Sequence, residues 1–213
     1  MYSGGVAGVV IAFICVLVRQ VFLQEERIEL HGRPRVTEAG KKEARKTTID
    51  KWQAQWTRLQ DKAQWTKRLI PDLQGWIDCK HRRLNHHLTQ AFSGHGCFRH
   101  FTYRLGKTEM NCDICRVDDT AEHVVFTCPK YDDLRQSLSE CVNDGRQNPQ
   151  KEITPETLID RMLQSADKWN AATEAITSMI KRKEIEERAK AQSVPNAYAN
   201  SEEDSLSSEE NSQ

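Results

Sequence analysis

The chain has 213 residues, with 31 Lys and Arg against 31 Asp and Glu, and it is 38% hydrophobic and 29% charged. That length allows one or two small domains, and so wet a composition leaves room for only a modest core. Seven scattered cysteines (Cys15, Cys79, Cys97, Cys112, Cys115, Cys128 and Cys141) argue against a disulfide framework and for a reducing compartment, nucleus or cytoplasm.

In chain order, residues 4–18 carry no charge and are followed, after Arg19-Gln20, by Val21-Phe22-Leu23. This segment of 1–24 falls just short of the roughly twenty apolar residues that span a bilayer. A membrane anchor, a buried helix cut from a larger domain and an artefact of where the reading frame begins are all open expectations, with the membrane not the favoured one. Residues 25–107 read as a basic helical region. Trp52, Trp56, Leu59 and Ala63 recur at helical spacing, and Pro71 ends the pattern. Short helices are expected over about 73–77 and 84–92, and Ser93-Gly94-His95-Gly96 is a turn. Residues 41–107 hold fifteen Lys and Arg against five acids, a net charge of +10. A basic segment interleaved with aromatics is the electrostatic footprint of nucleic-acid binding.

Residues 108–142 contain the most informative pattern. Cys112-Asp113-Ile114-Cys115, then His123, then Cys128 make a C-x2-C-x7-H-x4-C spacing. Three thiolates and one imidazole form a closed tetrahedral set for a single structural zinc ion, with no open position for catalysis. His123 is expected on a short helix capped by Asp118, Asp119 or Thr120, with Cys128 just beyond its end beside Pro129. An amphipathic helix over 131–141 follows, then a polar linker to Gln150. Residues 151–190 should form one or two helices. Thr154-Pro155 is a start signal, and Leu158, Ile159, Met162, Trp169, Ala172, Ile176, Met179 and Ile180 make the buried side. The end, 191–213, is acidic and Ser-rich and reads as disordered; residues 184–213 carry eight acids against two bases, a net charge of −6. The expected fold is therefore mostly α, a small helical domain organised around one Cys3His zinc site.

Catalytic signals are absent. Tyr131-Asp132-Asp133 lacks the residue that separates the aromatic from the aspartate pair in polymerases. His81, His86 and His87 sit among arginines, His95 and Cys97 flank a glycine, and no phosphate-binding loop is present. A small-molecule substrate is not expected.

Several strings then follow one another in order: His87-Leu88-Thr89-Gln90, Ser93-Gly94-His95-Gly96-Cys97-Phe98, Arg104-Leu105-Gly106-Lys107, the Cys112/Cys115 pair, Asp119-Thr120-Ala121-Glu122-His123-Val124 and Cys128-Pro129. Upstream lie Glu25-Glu26-Arg27, Trp52-Gln53-Ala54-Gln55-Trp56 and Trp65-Thr66-Lys67-Arg68-Leu69-Ile70-Pro71. Over about 20–185 the chain resembles the C-terminal region of non-LTR retrotransposon reverse transcriptases, of the arthropod ribosomal-DNA-inserting and Jockey-like types. The resemblance implies that Cys112, Cys115, His123 and Cys128 hold zinc, and that the basic surroundings help hold template RNA or target DNA. It also implies that polymerase and endonuclease belong to segments this chain lacks, so no enzymatic activity is expected of it. Arg99, Arg104, Lys107 and Lys130 are the candidate phosphate contacts. Phe98, Phe101 and Tyr103 could stack on bases, with core packing the better expectation for two of the three. A protein-interaction module, in which zinc scaffolds a helical bundle, is the alternative.

Overall fold

The computed structural model describes residues 31, 37–58, 63–143 and 153–193. These residues are mostly helical, and among them there is no β-strand. The apolar segment at 4–23 and the acidic end beyond 193 lie outside the described residues. In chain order the elements are α1 (Glu38–Arg58), α2 (Gln64–Leu69), α3 (Leu73–Asp78), α4 (His86–Ser93) and α5 (Arg99–Tyr103). A π-helical turn (His123–Thr127) and a 3-10 turn (Pro129–Tyr131) precede α6 (Asp132–Val142), α7 (Pro155–Leu163) and α8 (Ala166–Ser193).

Local chemistry sets these boundaries. The Asp72 carboxylate accepts the Gln74 and Gly75 amides to cap α3, and Asn85 accepts the Leu88 amide at 2.8 Å to cap α4. Gly94, at φ 71°, ends α4 in the left-handed conformation that costs glycine little. Thr154 and Thr157 form a reciprocal box at the start of α7, with Pro155 in its first turn, as expected from the sequence.

The stripe expected from Trp52 to Ala63 is cut short. Helix α1 is described as far as Arg58, Leu59 is outside the described residues, and Ala63 is left-handed (φ 55°), so no continuous α-helix includes it. The buried residues of α1 are Ala44, Thr48 and Ile49, whereas Trp52 and Trp56 are only half-buried. A physical reason is visible at Trp56: its indole N–H needs an acceptor and finds the Ile70 carbonyl at 2.8 Å, at the edge of α2. Gln53 adds two bonds, to the Pro71 carbonyl and from the Leu73 amide, both 2.9 Å.

The stripe on α7 and α8 is buried throughout. Leu158, Ile159, Met162, Trp169, Ala172, Ile176, Met179 and Ile180 all enter one core with Leu88, Ala91 and Phe92 of α4 and Leu138 and Val142 of α6. Each large side chain there contributes roughly 1.5–3 kcal/mol by leaving water. The Trp169 indole reaches the Arg83 carbonyl at 3.1 Å, and Trp76 packs on its ring at 5.9 Å between centroids. Val124, Val125, Cys128 and Tyr131 join the same core. It therefore crosses the boundaries drawn in the sequence at 107/108 and 142/151, and helix α8 is its central member. No helix of the described residues is long and apolar enough to cross a membrane.

Candidate metal centre

The cysteine loop is shaped by its backbone. Asn111 and Asp118 form an isolated antiparallel bridge, and the Cys112 amide donates to the Val117 carbonyl at 2.9 Å. The Arg116 amide donates to the Cys112 carbonyl at 3.0 Å, with Arg116 itself left-handed (φ 60°). This tight turn sets the Cys112 and Cys115 sulfurs on one side.

The other two donors come from the π-helical turn. Thr120 is the cap, its hydroxyl accepting the His123 amide at 3.1 Å. In an α-helix, residues five apart point about 140° away from one another. Here the Cys128 amide bonds to the His123 carbonyl at 2.7 Å, an i to i+5 closure, and the wider turn brings the two side chains to the same side. Arg135 braces this turn from α6, donating to the Val125 carbonyl (3.1 Å) and the Cys128 carbonyl (2.7 Å).

One ligand atom from each of Cys112, Cys115, His123 and Cys128 lies within 4.8 Å of all the others. The Cys115 and Cys128 sulfurs are 4.0 Å apart, close to the roughly 3.8 Å edge of a tetrahedron with metal–sulfur bonds of about 2.3 Å. His123 fits the set through its hydrogen bonds. The Thr127 hydroxyl donates to the His123 carbonyl at 3.2 Å, so at Nδ1, 3.0 Å away, it acts as acceptor of the ring proton. That assignment follows from the bonding network and leaves Nε2 as the unprotonated nitrogen. Nε2 is buried and has no partner. An orphaned imidazole lone pair facing three thiols is what a metal ion would satisfy, and these four residues can hold one.

The titration behaviour agrees. Burial lowers the pKa of His123 and keeps its ring neutral. Burial, with the neighbouring sulfurs, pushes Cys128 up to about 12, and burial likewise raises Cys115. Burial also opposes the Cys112 thiolate, but the amides of Cys115 and Ile114 donate to it and bring its pKa below the ordinary thiol value. Three crowded sulfurs cannot all ionise without a cation among them. With four protein donors the coordination shell closes, so the ion would be structural.

Behind the cluster lies a set of ion pairs that the sequence reading missed. Lys183 of α8 and Asp119 are 5% and 2% exposed and in direct contact. The Asp119 carboxylate also accepts the Arg99 amide at 3.2 Å. Burial disfavours the Lys183 ammonium, yet Asp119 and Glu187 outweigh it and raise its pKa. Arg99 reaches Glu187 at 3.1 Å, the Asn111 carbonyl at 3.0 Å and the Asp113 carboxylate. Lys190 also meets Asp113, and Lys130 meets Glu186. One signal was in the sequence: Lys183 follows Met179 and Ile180 on the buried stripe of α8, where a cation needs a buried partner.

This arrangement sorts the expected phosphate contacts. Arg99 is 8% exposed and its guanidinium is taken up by two carboxylates and a carbonyl. Lys130 is half-buried against Glu186. Arg104 and Lys107 are exposed and form no ion pair among the described residues. Of the aromatics, Phe98 is in the core, Phe101 packs edge-on against His95 at 4.7 Å, and Tyr103 is 54% exposed. The remaining polar motifs hold the fold together. Tyr131 is buried, Asp132 pairs with Arg135, and Asp133 pairs with Arg182 at 2.7 Å. His86 and His87 face Glu184 at 3.9 and 3.6 Å, and burial pushes the Cys97 thiol up to about 12.

Compared with known proteins, the chain matches no family model, no curated protein and no solved structure.

Proposed function

We propose that the chain is a zinc-stabilised helical module that binds RNA or DNA, equivalent to the C-terminal region of a non-LTR retrotransposon reverse transcriptase. The observation that carries this reading is the close Cys3His cluster, in which the buried His123 Nε2 has no hydrogen-bond partner. Three thiolates and an imidazole in a tetrahedron select zinc over harder ions, and the four-donor shell gives it a structural role. The relation to the retrotransposon family rests on the ordered strings running from Trp65 through Cys128-Pro129. The nucleic-acid role rests on the basic segment that leads into the knuckle. Within it, Arg104 and Lys107 are the phosphate contacts and Arg99 is a structural cation, as is Lys130 beyond Cys128.

The module works by positioning. Zinc would hold Cys112, Cys115, His123 and Cys128, fixing the loop between them. The cluster itself would carry a charge of about −1, so attraction for phosphate comes from the cations around it. Those cations lie on turns that the loop and α5 hold rigid.

Native mass spectrometry of the intact chain, with and without chelator and with Cys115→Ser as control, tests the metal. One zinc per chain, absent in the control, is expected. Fluorescence titration with RNA and DNA at several salt concentrations tests the partner, the expected result being affinity that falls steeply as salt rises. A folded, zinc-loaded protein that binds neither would overturn the nucleic-acid reading. A second reading, a protein-interaction module, is favoured by the ion pairing of Arg99 and Lys130, which withdraws two of the four expected phosphate contacts. Salt-insensitive behaviour towards nucleic acid would favour it.

A further inference from the structure

Five large hydrophobic side chains are exposed among the described residues: Tyr103 (54%), Leu105 (53%), Ile114 (57%), Val117 (51%) and Ile185 (66%). Four of the five fall on two successive turns, 103–107 and 114–117. The first closes α5, with the Gly106 amide donating to the Tyr103 carbonyl (2.8 Å) and the Lys107 amide to the Thr102 carbonyl (3.0 Å). The second is the tip of the cysteine loop. Its base is tied to α5 by the Arg99 guanidinium on the Asn111 carbonyl and by the His100 amide on the Asp119 carbonyl at 3.2 Å. Arg104, Lys107 and Arg116 stand on the same two turns, exposed, and none forms an ion pair among the described residues. Elsewhere around the cluster the cations are matched to carboxylates. Here they are left beside apolar side chains.

We propose that these two turns form a binding surface for unpaired nucleotides, single-stranded RNA or DNA rather than duplex. The proposal rests on the nucleic-acid reading above and names the form of its ligand. A duplex presents phosphates outward and hides its base faces, so cations alone would serve it, and four apolar side chains would gain nothing. An unpaired strand offers both surfaces at once: phosphates for Arg104, Lys107 and Arg116, and base faces for Tyr103, Ile114 and Val117. Ile114 lies between the ligands Cys112 and Cys115, and the Val117 carbonyl accepts the Cys112 amide, so a bound ion would fix both before any strand arrives. Such preorganisation reduces the ordering cost of binding.

The test uses the intact zinc-loaded chain and labelled mixed-sequence strands of about 15 nucleotides, a length within reach of one small binding module. The same sequences annealed to their complements provide the duplexes. We expect the single strand to bind about tenfold more tightly than its duplex. Tyr103→Ala should weaken strand binding about tenfold and leave the salt slope unchanged, as loss of one stacked base would. Ile114→Ser with Val117→Ser should act in the same direction. Arg104→Ala with Lys107→Ala should instead lower the logarithmic salt slope by about 1.4 for a single strand. Zinc content and melting temperature of each variant show that it is folded. Equal affinity for duplex and strand, or apolar variants that bind as the parent does, would overturn the inference and leave nucleic-acid binding standing. Binding of neither form by the folded protein would overturn both. Concentration-dependent dimerisation abolished by Ile114→Ser with Val117→Ser would assign the patch to a second copy of the chain and also overturn it.

Discussion

The bundle of α4, α7 and α8 and the loop from Asn111 to Asp119 solve the same problem by different means. The bundle buries Leu88, Leu158, Met162, Trp169, Ile176 and Ile180 against one another, and its stability is apolar. The loop has few apolar residues to bury and leaves Ile114 and Val117 in solvent. What can hold it is polar: four side chains able to take a metal ion on one side and the buried Asp119–Lys183 and Arg99–Glu187 pairs on the other. A long helix, α8, serves both, apolar through Ile180 and charged from Arg182 onward. The general point is that a segment too short for a core of its own can be held by coordination and by ion pairs borrowed from a neighbouring helix.

The largest effect should come from the metal. Chelation, or Cys115→Ser, removes a folding contribution on the order of 10 kcal/mol from the loop. Hydrogen exchange should show amides 112–119 losing protection first, with those of α7 and α8 the last to go. Simultaneous loss across the whole chain would show that the two regions are a single cooperative unit.

Next comes the buried pair. Lys183→Ala strands the Asp119 carboxylate and should cost about 3–5 kcal/mol in denaturant unfolding, whereas Lys183→Met with Asp119→Leu should cost much less. If both variants were equally destabilised, packing rather than charge would be the reason. In the bundle, Met162→Ala should cost about 2–5 kcal/mol by leaving a cavity, without altering the zinc stoichiometry measured by mass spectrometry. Loss of zinc in that variant would merge the two regions.

A smaller effect concerns acid. Burial raises the pKa of Glu187, but Lys183 and Arg99 outweigh it, so the folded value lies below the ordinary one. A depressed carboxylate contributes stability that is present above its unfolded pKa, about 4.3, and is lost as pH falls through the lower folded value. Glu187→Gln should therefore flatten the acid limb of the stability curve below about pH 4.3. An unchanged limb would remove Glu187 from the clamp. Arg104→Ala with Lys107→Ala should leave the melting temperature unchanged, since both side chains are exposed and neither is ion-paired among the described residues.

Much of this was legible in the sequence. The metal donors could be read because coordination chemistry constrains residue type and spacing directly. The α7 and α8 stripe could be read because helical periodicity repeats over many residues, and Thr154-Pro155 marks its start. The Trp52–Ala63 stripe misled because an indole N–H seeks an acceptor, which holds Trp56 at the rim, and because Ala63 is left-handed. The single core crossing three segments was not legible either, since contacts between α4, α6 and α8 leave no mark on local pattern.

The sequence by itself determined the helical class, the four residues that come together as a possible metal site and the apolar face of the last two helices, all of which follow from short-range spacing. Only the tertiary structure decided which cations are free. Arg99 and Arg104 are chemically the same and five residues apart, yet one meets Glu187 across the fold and the other is exposed, with no ion pair among the described residues. A charge acquires its role from what lies opposite it, and for Arg99 that partner is 88 residues further along the chain.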